Sequence, residues 1–457
     1  MVICRPTRTR RHGGMFVPSD PAVASALAAP KRPPGQRSIW LAELLERYGS
    51  YLIGALLPLY LNEQLGLPFT LSLRLTGYYL ALGYAGGVLG GLVSDRFLGY
   101  RAATRLGGAV LAVGAALLAS GRPGTLYPAL LLLVLGSSCF KPALTAWLGS
   151  LYAADDAGQS AGFAWFYFAA NIGAAAAPFV GGALRTRHGW PAAFSTTAAA
   201  FGLCLAVVIM GQLTVPAAPL PPPHQTEEER REKTPPDGSA PGPTRWVNVF
   251  CLLGILVLFA SAHGQSGGAL LFFARDAVDR RIFGRFIPPD FFASVPAAMV
   301  LLLTLLQQGV WQTLGRRRRV PSPMVTLTLG MLAAALAFGL LAAVAAVHAG
   351  SHGPPLLINA LWIVAALTLL TVGEVLVIPV AMALVAQSAP PRRGALAQGL
   401  LCAALAVGFA LAGEAGRFFA RFGAARFFAG NALIPVFGVV LLWTCARLPQ
   451  SRAAKTF

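Results

Sequence analysis

Charge is scarce in this chain. Asp, Glu, Lys and Arg make up 12% of its 457 residues, and only 17 residues are acidic. A soluble domain of that length needs a far more polar surface, which excludes water as the solvent for most of the chain. Period-two alternation is missing from the apolar stretches, which argues against a β-barrel. Cysteine is sparse and scattered: Cys4, Cys139, Cys204, Cys251, Cys402 and Cys445 form no C-x-x-C pair. Most sit in apolar runs and read as small hydrophobes, with neither disulfide nor metal implied. The sequence offers no metal cluster, nucleophile triad or phosphate loop, so it supports no enzyme and calls for no cofactor. No secretory signal stands out either. Residues 1–38 are rich in Arg and Pro, and their longest apolar run, Ala22 to Ala29, is short and weak. They are expected to form a disordered cytoplasmic tail, and Met15 is a second candidate start.

What is abundant is apolar: 56% of residues are hydrophobic and mean hydropathy is +0.64. Runs of ~20 residues rich in Leu, Ala, Val and Gly recur, the length that a bilayer core requires of a helix. These predict an all-α membrane protein of about twelve spans. They lie near 45–63, 74–94, 104–120, 126–150, 160–184, 193–213, 247–273, 291–314, 322–348, 355–387, 394–416 and 428–447. Pro216 to Pro243 is Pro-rich and charged, without an apolar run, and reads as a flexible linker. The expected organisation is a tail (1–38), a six-helix bundle (39–213), a cytoplasmic linker (214–246), a second six-helix bundle (247–448) and a short tail (449–457). Six spans, a linker and six spans suggest two related halves, as in secondary transporters.

The net charge is +19. It is spread over loops and tails, so topology accounts for it better than nucleic-acid binding does. The N-terminal tail, Arg96 to Arg105, the linker, Arg316 to Arg319, Arg392–Arg393 and the C-terminal tail fall on one side, expected to be cytoplasmic. Arg185 and Arg187, the segment Arg275 to Arg285, and Arg417 to Arg426 fall on the other, against the rule.

Four places carry polar groups where lipid makes them expensive. A charge at bilayer depth costs about 2.5–3.5 kcal/mol on insertion scales, so such groups face the bundle interior and pair. Glu43, Glu46 and Arg47 share the start of span one, and Ser50, Tyr51 and Gly54 continue their stripe. A carboxylate beside a guanidinium can take up a proton when its partner leaves, although such a cluster also suits a helix entry at the membrane surface. Lys141 lies mid-span beside Pro142 and is expected to have a carboxylate partner. Glu374 of span ten and Asn171 of span five, near Tyr167, complete the set. His263 reads more readily as a satisfied packing residue than as a titrating one. After span two, Gly91-Leu-Val-Ser-Asp95-Arg96-Phe-Leu-Gly99-Tyr-Arg101 resembles the G-x-x-x-D-R-x-G-x-R loop of the major facilitator superfamily. A weakened copy, Gly309 to Arg319, follows span eight.

Together these segments resemble the proton-dependent oligopeptide transporter family over roughly residues 40–450. Its E-x-x-E-R-x-x-x-Y signature matches Glu43, Glu46, Arg47 and Tyr51, and its F-K-P segment matches Phe140-Lys141-Pro142. F-Y-x-x-x-N-x-G matches Phe166, Tyr167, Asn171 and Gly173, and G-E-x-x-x-x-P matches Gly373, Glu374 and Pro379. Tyr84 sits where the family has a tyrosine in span two.

The resemblance implies the major facilitator fold and proton-driven uptake of di- and tripeptides by a chain expected to act as a monomer in the cell membrane. Arg47, Lys141 and Tyr51 would hold the peptide carboxylate, Glu374 and Asn171 its ammonium, and Tyr84 and Tyr167 would help to line the site. Glu43 and Glu46 with Arg47 and Lys141 would couple the proton. The chain departs from the family at Gly54 and Gly264, where an Arg–Glu pair can bridge the halves, and at Ser50, Val295 and Phe409. Losing both members of that pair avoids a stranded charge and predicts a different external gate. The departures keep two alternatives open: a carrier of another small solute, such as a peptide-like drug, a modified amino acid or an anion, and a membrane sensor that does not transport.

Overall fold

The structure is a computed structural model that describes residues 33–152, 158–214, 243–282, 284–316, 321–350, 357–388 and 394–447. Residues 1–32 and 448–457, most of the linker and the Arg317–Arg319 run lie outside the described residues. Helix dominates because in lipid each backbone N–H and C=O must find its partner within the segment. Helices α1 (Gln36–Leu59), α2 (Phe69–Val93), α3 (Gly99–Ala119) and α4 (Leu126–Ser150) are followed by Gly158–Thr214, which Gly189 divides into α5 (158–188) and α6 (190–214). The second set is α7 (Pro243–His263), α8 (Ala269–Ala277), α9 (Ser294–Arg316), α10 (Pro323–Gly350) and α11 (Ala360–Ser388). Gly394–Arg447 follows, divided by Gly423 into α12 (394–422) and α13 (424–447). Strands are minimal: β1 (Val278–Asp279) pairs in parallel with β4 (Ile358–Asn359), and β2 (Arg281–Ile282) pairs antiparallel with β3 (Arg285–Phe286).

Among the described residues, seven helical stretches are long and apolar enough to cross a membrane. Three of them contain two crossings joined by a sharp turn: Phe69–Ala119, Gly162–Thr214 and Gly399–Cys445. With α1 and α9 the crossings number twelve. The turns at Gly189 (φ 82°) and Gly423 (φ 77°) occupy equivalent places in the two sets. Both need the left-handed backbone that glycine adopts without a Cβ penalty.

The two halves repeat one packing scheme. In the first, α1 packs on the α5–α6 arm, α2 on α4, and α3 on α4 and the α5–α6 arm. In the second, α7 packs on the α12–α13 arm, α9 on α11, and α10 on α11 and the α12–α13 arm. The halves meet where α2 crosses the α12–α13 arm and where the α5–α6 arm crosses α9. The first crossing is very close: a Cβ on Gly77 would lie 2.7 Å from the Gly413 Cα and 2.9 Å from the Phe409 carbonyl oxygen. Small residues permit this approach.

Three expectations change. Span seven is not continuous: α7 ends at His263, Gly264–Gly267 forms a tight turn, and α8 resumes at Ala269. Span one starts earlier than the apolar run, at Gln36, so Glu43, Glu46 and Arg47 lie inside the helix instead of at its mouth. Cys251 and Cys445 are joined as a disulfide between α7 and α13, with Cα atoms 6.6 Å apart, while Cys139, Cys204 and Cys402 are free. Their separation of 194 residues hides that pairing from any spacing rule.

Filling the α2–α12 crossing is expected to destabilise the fold. Overpacking costs about 1–3 kcal/mol, so Gly77→Val lowers the thermal midpoint in detergent. Gly87→Val, where nothing lies within 4 Å, leaves it unchanged.

Candidate functional site

The charged stripe of α1 is drawn into the first half by close helix packing. A Cβ on Gly173 of α5 would lie 2.2 Å from the Leu44 carbonyl oxygen, so the glycine of the F-Y-x-x-x-N-x-G segment lets α5 press directly on α1. Glu43 and Glu46 are thereby buried, at 1% and 0% exposure. Arg47 Nε lies 2.6 Å from Glu43 Oε1 and 3.8 Å from Glu46 Oε2. Lys141 Nζ from α4 reaches Glu46 Oε1 at 3.5 Å, and Ser50 Oγ donates to the same oxygen at 2.5 Å. The carboxylate partner expected for Lys141 is therefore Glu46. Two carboxylates face two cations, so the cluster is balanced, and burial makes each charge depend on its partners.

Arg47 and Lys141 form one wall of a cavity of about 460 Å³ between the halves. Tyr51, Tyr84 and Asn171 also line it from the first half, and Glu374 and His263 line it from the second. Tyr51 and Tyr84 remain 44% and 41% exposed, which makes this a wet space rather than a sealed core. The Asn171 amide donates to the Tyr167 carbonyl at 2.9 Å. Tyr167 lies one turn before Asn171 and does not itself line the cavity. Glu43 and Glu46 stand behind Arg47 and also do not line it.

Glu374 is not isolated: His263 Nε2 lies 3.8 Å from its Oε2. This corrects the packing reading of His263. The ring stacks on Phe259 with centroids 5.7 Å apart, and its buried Nδ1 lacks a hydrogen-bond partner. The signal was present in the sequence, a histidine beside a vacated acidic position, but only the fold brings it to Glu374. Position 264 is closed to a side chain, since a Cβ there would lie 2.7 Å from the Ala412 Cβ and 3.1 Å from Phe409. Position 54 is open, with Leu80 at 3.9 Å. Gln265, next in the chain, is buried and donates to the Ala412 carbonyl at 2.9 Å. Phe409 stacks on Tyr84 across the halves at 5.2 Å. Val295 packs into the apolar core, while its neighbour Pro296 lines the cavity.

The loop motif forms the turn between α2 and α3. Gly91 ends near Pro142 (3.7 Å to a built Cβ), Arg96 sits over Phe97 at 5.9 Å, and Gly99 opens α3. The Arg101 carbonyl accepts from Gln212 at 3.2 Å, which ties the motif to α6. The Asp95 side chain lies outside the described residues.

The ends of the bundle opposite this motif are bound together. Arg185 at the end of α5 donates to Asp290 of the second half at 2.9 Å and to Glu63 at 3.0 Å. Arg275 at the end of α8 returns to the first half, reaching Asn62 at 3.0 Å and Glu63 at 3.3 Å. Arg74 donates to Glu414 at 2.8 Å, and Tyr78 bonds the same carboxylate. Sequence reasoning missed this closure, because its residues come from six separate segments.

Comparison with known proteins agrees with this architecture. A family model described as Major Facilitator Superfamily matches residues 39–353. A protein of Yersinia enterocolitica named peptide transporter YePEPT is 26% identical over 448 residues, covering 83% of this chain and 86% of that one. The dipeptide and tripeptide permease A of Escherichia coli is 25% identical over 416 residues, covering 81% of each. A crystal structure of the peptide transporter POT in complex with sulfate superposes with a TM-score of 0.81 at 23% identity, over 92% of this chain and 97% of that one. Another, with 5-aminolevulinic acid, gives 0.81 at 19% identity, over 90% and 96%. The chain belongs to the Major Facilitator Superfamily.

Proposed function

We propose that this protein is a proton-coupled symporter of di- and tripeptides that works by alternating access. The observation that carries the reading is the polarity of the cavity. Arg47 and Lys141 stand on the wall of the first half and Glu374 on the wall of the second. A peptide zwitterion needs that arrangement, a cationic site for its carboxylate and an anionic site for its ammonium across a midplane cavity. The halves, 39–213 and 247–448, would rock about this site with both termini cytoplasmic, in the cell membrane. Tyr51, Tyr84 and Asn171 would give the polar lining in which side chains are held loosely, with Tyr167 holding Asn171 from behind. Relatives named as peptide transporters or permeases support the substrate class.

The coupling follows from the paired burial. Protonating Glu43 or Glu46 releases Arg47 or Lys141 from its carboxylate, and the freed cation is then available to a peptide carboxylate. Binding of proton and peptide are thereby linked through shared partners. One elementary charge moving through 100 mV supplies about 2.3 kcal/mol for the inward step.

One observation favours a second reading, a carrier of another small zwitterion. Position 264 is sealed, Val295 is apolar, and His263 competes for Glu374, so the ammonium side of the site is sparer than the carboxylate side. Competition by dialanine against candidate amino acids in the same vesicles separates the two.

Glu43→Gln is expected to abolish uphill accumulation of labelled dialanine while preserving counterflow exchange; loss of both in folded protein removes Glu43 as the coupling acid. Lys141→Ala and Glu374→Ala each remove a charge-assisted contact worth about 1.5–3 kcal/mol. Calorimetric titration with dialanine is expected to give a Kd weakened about tenfold or more for each; an unchanged Kd takes that residue out of the site.

A further inference from the structure

The closure at the external ends holds a carboxylate that the central mechanism does not use. Asp290 lies in the turn Pro289–Ala293 before α9 and is fully buried, at 0% exposure. Phe291 beside it packs on Phe179 of α5 with centroids 4.6 Å apart, and a Cβ on Gly182 would lie 3.1 Å from Asp290 Oδ2. The carboxylate is therefore clamped between the halves and shielded from water. Only Oδ2 is bonded, by Arg185 Nε at 2.9 Å, and Oδ1 is buried without a hydrogen-bond partner.

Charged groups approach Asp290 from each element packed against it. Arg185 comes from α5, Glu63 from the turn after α1, and Arg280 from the loop after β1; Arg275 and Asp276 stand behind them at the end of α8. Arg187 and His188, at the end of α5, are exposed. Arg185 has a second carboxylate, Glu63 at 3.0 Å, so neutralising Asp290 leaves it paired. Conversely, a charged Asp290 has one buried oxygen with no compensation, a costly arrangement that a proton on Oδ1 relieves.

We infer that Asp290 is a second proton-binding site, separate from the Glu43–Lys141 cluster: it takes a proton from external water as the halves close over the cavity and returns it to the same side when they part. It carries no net proton across the membrane. It makes closure of the external face favourable in acid, the condition in which an inward proton gradient exists. The inference rests on the alternating-access reading above.

The sign follows from linkage. Burial pushes the Asp290 carboxyl up from 3.8 to about 6 in the closed arrangement, against the attraction of Arg185. Where the halves part and water reaches it, the ordinary value returns. The closed state then binds the proton more tightly, so closure gains as pH falls through about 6 and the gain saturates below about 4. At pH 5 the open-to-closed ratio should be about tenfold lower than at pH 7.

The test is a spin-label distance measurement across the external ends. The sites are Arg187→Cys and Leu357→Cys, both exposed, with Cys4, Cys139 and Cys402 changed to serine. The expected result is two distances whose long-to-short ratio falls about tenfold from pH 7 to pH 5. Asp290→Asn should give a low ratio that ignores pH, and Glu43→Gln should keep the step. Arg185→Gln, which removes the opposing attraction, should move the step to higher pH, an independent readout should the asparagine variant fold poorly. A step that survives in Asp290→Asn, or a ratio that is flat or rises with acid, overturns the inference. Two dialanine-responsive distances without a pH step would overturn the latch alone. A single distance indifferent to both pH and dialanine would overturn the carrier reading with it.

Discussion

Everything in this structure depends on the pairing of two buried carboxylates, Glu43 and Glu46, with two cations, Arg47 and Lys141. In a bilayer no charge is left to lipid, so each must be met by a counter-charge or by water. α1 supplies three of the four groups and α4 the fourth, which ties the two helices across the first half. The glycine contact of α5 with α1 buries the carboxylates, and burial gives protonation of one acid consequences for its cation. The cavity lies on the far side of those cations, with Glu374 opposite. In the proposed coupling, Glu43 and Glu46 compete with the peptide carboxylate for the same positive groups, so a proton on either acid favours the peptide.

The second half is built to the same packing scheme and is used differently. It brings one carboxylate to the cavity, and His263 stands beside it. Where relatives of this type can carry a bridging Arg–Glu pair, this chain has Gly54 and Gly264, and the latter is filled by the approach of α12. In this chain Arg185, Glu63, Asp290 and Arg275 join the halves at one end of the bundle. With the proposed cytoplasmic termini, this also accounts for arginines that run against the positive-inside tendency. Arg185 and Arg275 are on that face to join the halves. Arg417 and Arg421 lie over Phe418 and Phe422 at 4.9 and 5.4 Å.

The helices were largely legible in the sequence, because a span needs about twenty apolar residues whatever its partners. The fold class was legible for the same reason, with the loop motif at Gly91 to Arg101 and the twofold count of spans. The residues of the central site were legible through their cost: Lys141 and Glu374 stand out in apolar runs, and both line the cavity. Hydropathy could not reveal which acid pairs with which base. Lys141 meets Glu46, and Glu374 meets His263, because of helix rotation and register that only packing fixes. The break at Gly264–Gly267 was masked by apolar neighbours on both sides. The Cys251–Cys445 bond and the Arg185–Asp290 pair join residues 194 and 105 positions apart, beyond the reach of any local pattern.

Accumulation against a gradient tests the central claim most directly. Purified protein in liposomes, neutral inside and acidic outside, is given labelled dialanine with and without a protonophore. The account predicts internal dialanine above the external concentration, collapsing to equality when the protonophore is added. Equilibration that never exceeds the outside concentration, or accumulation that the protonophore leaves intact, would contradict it.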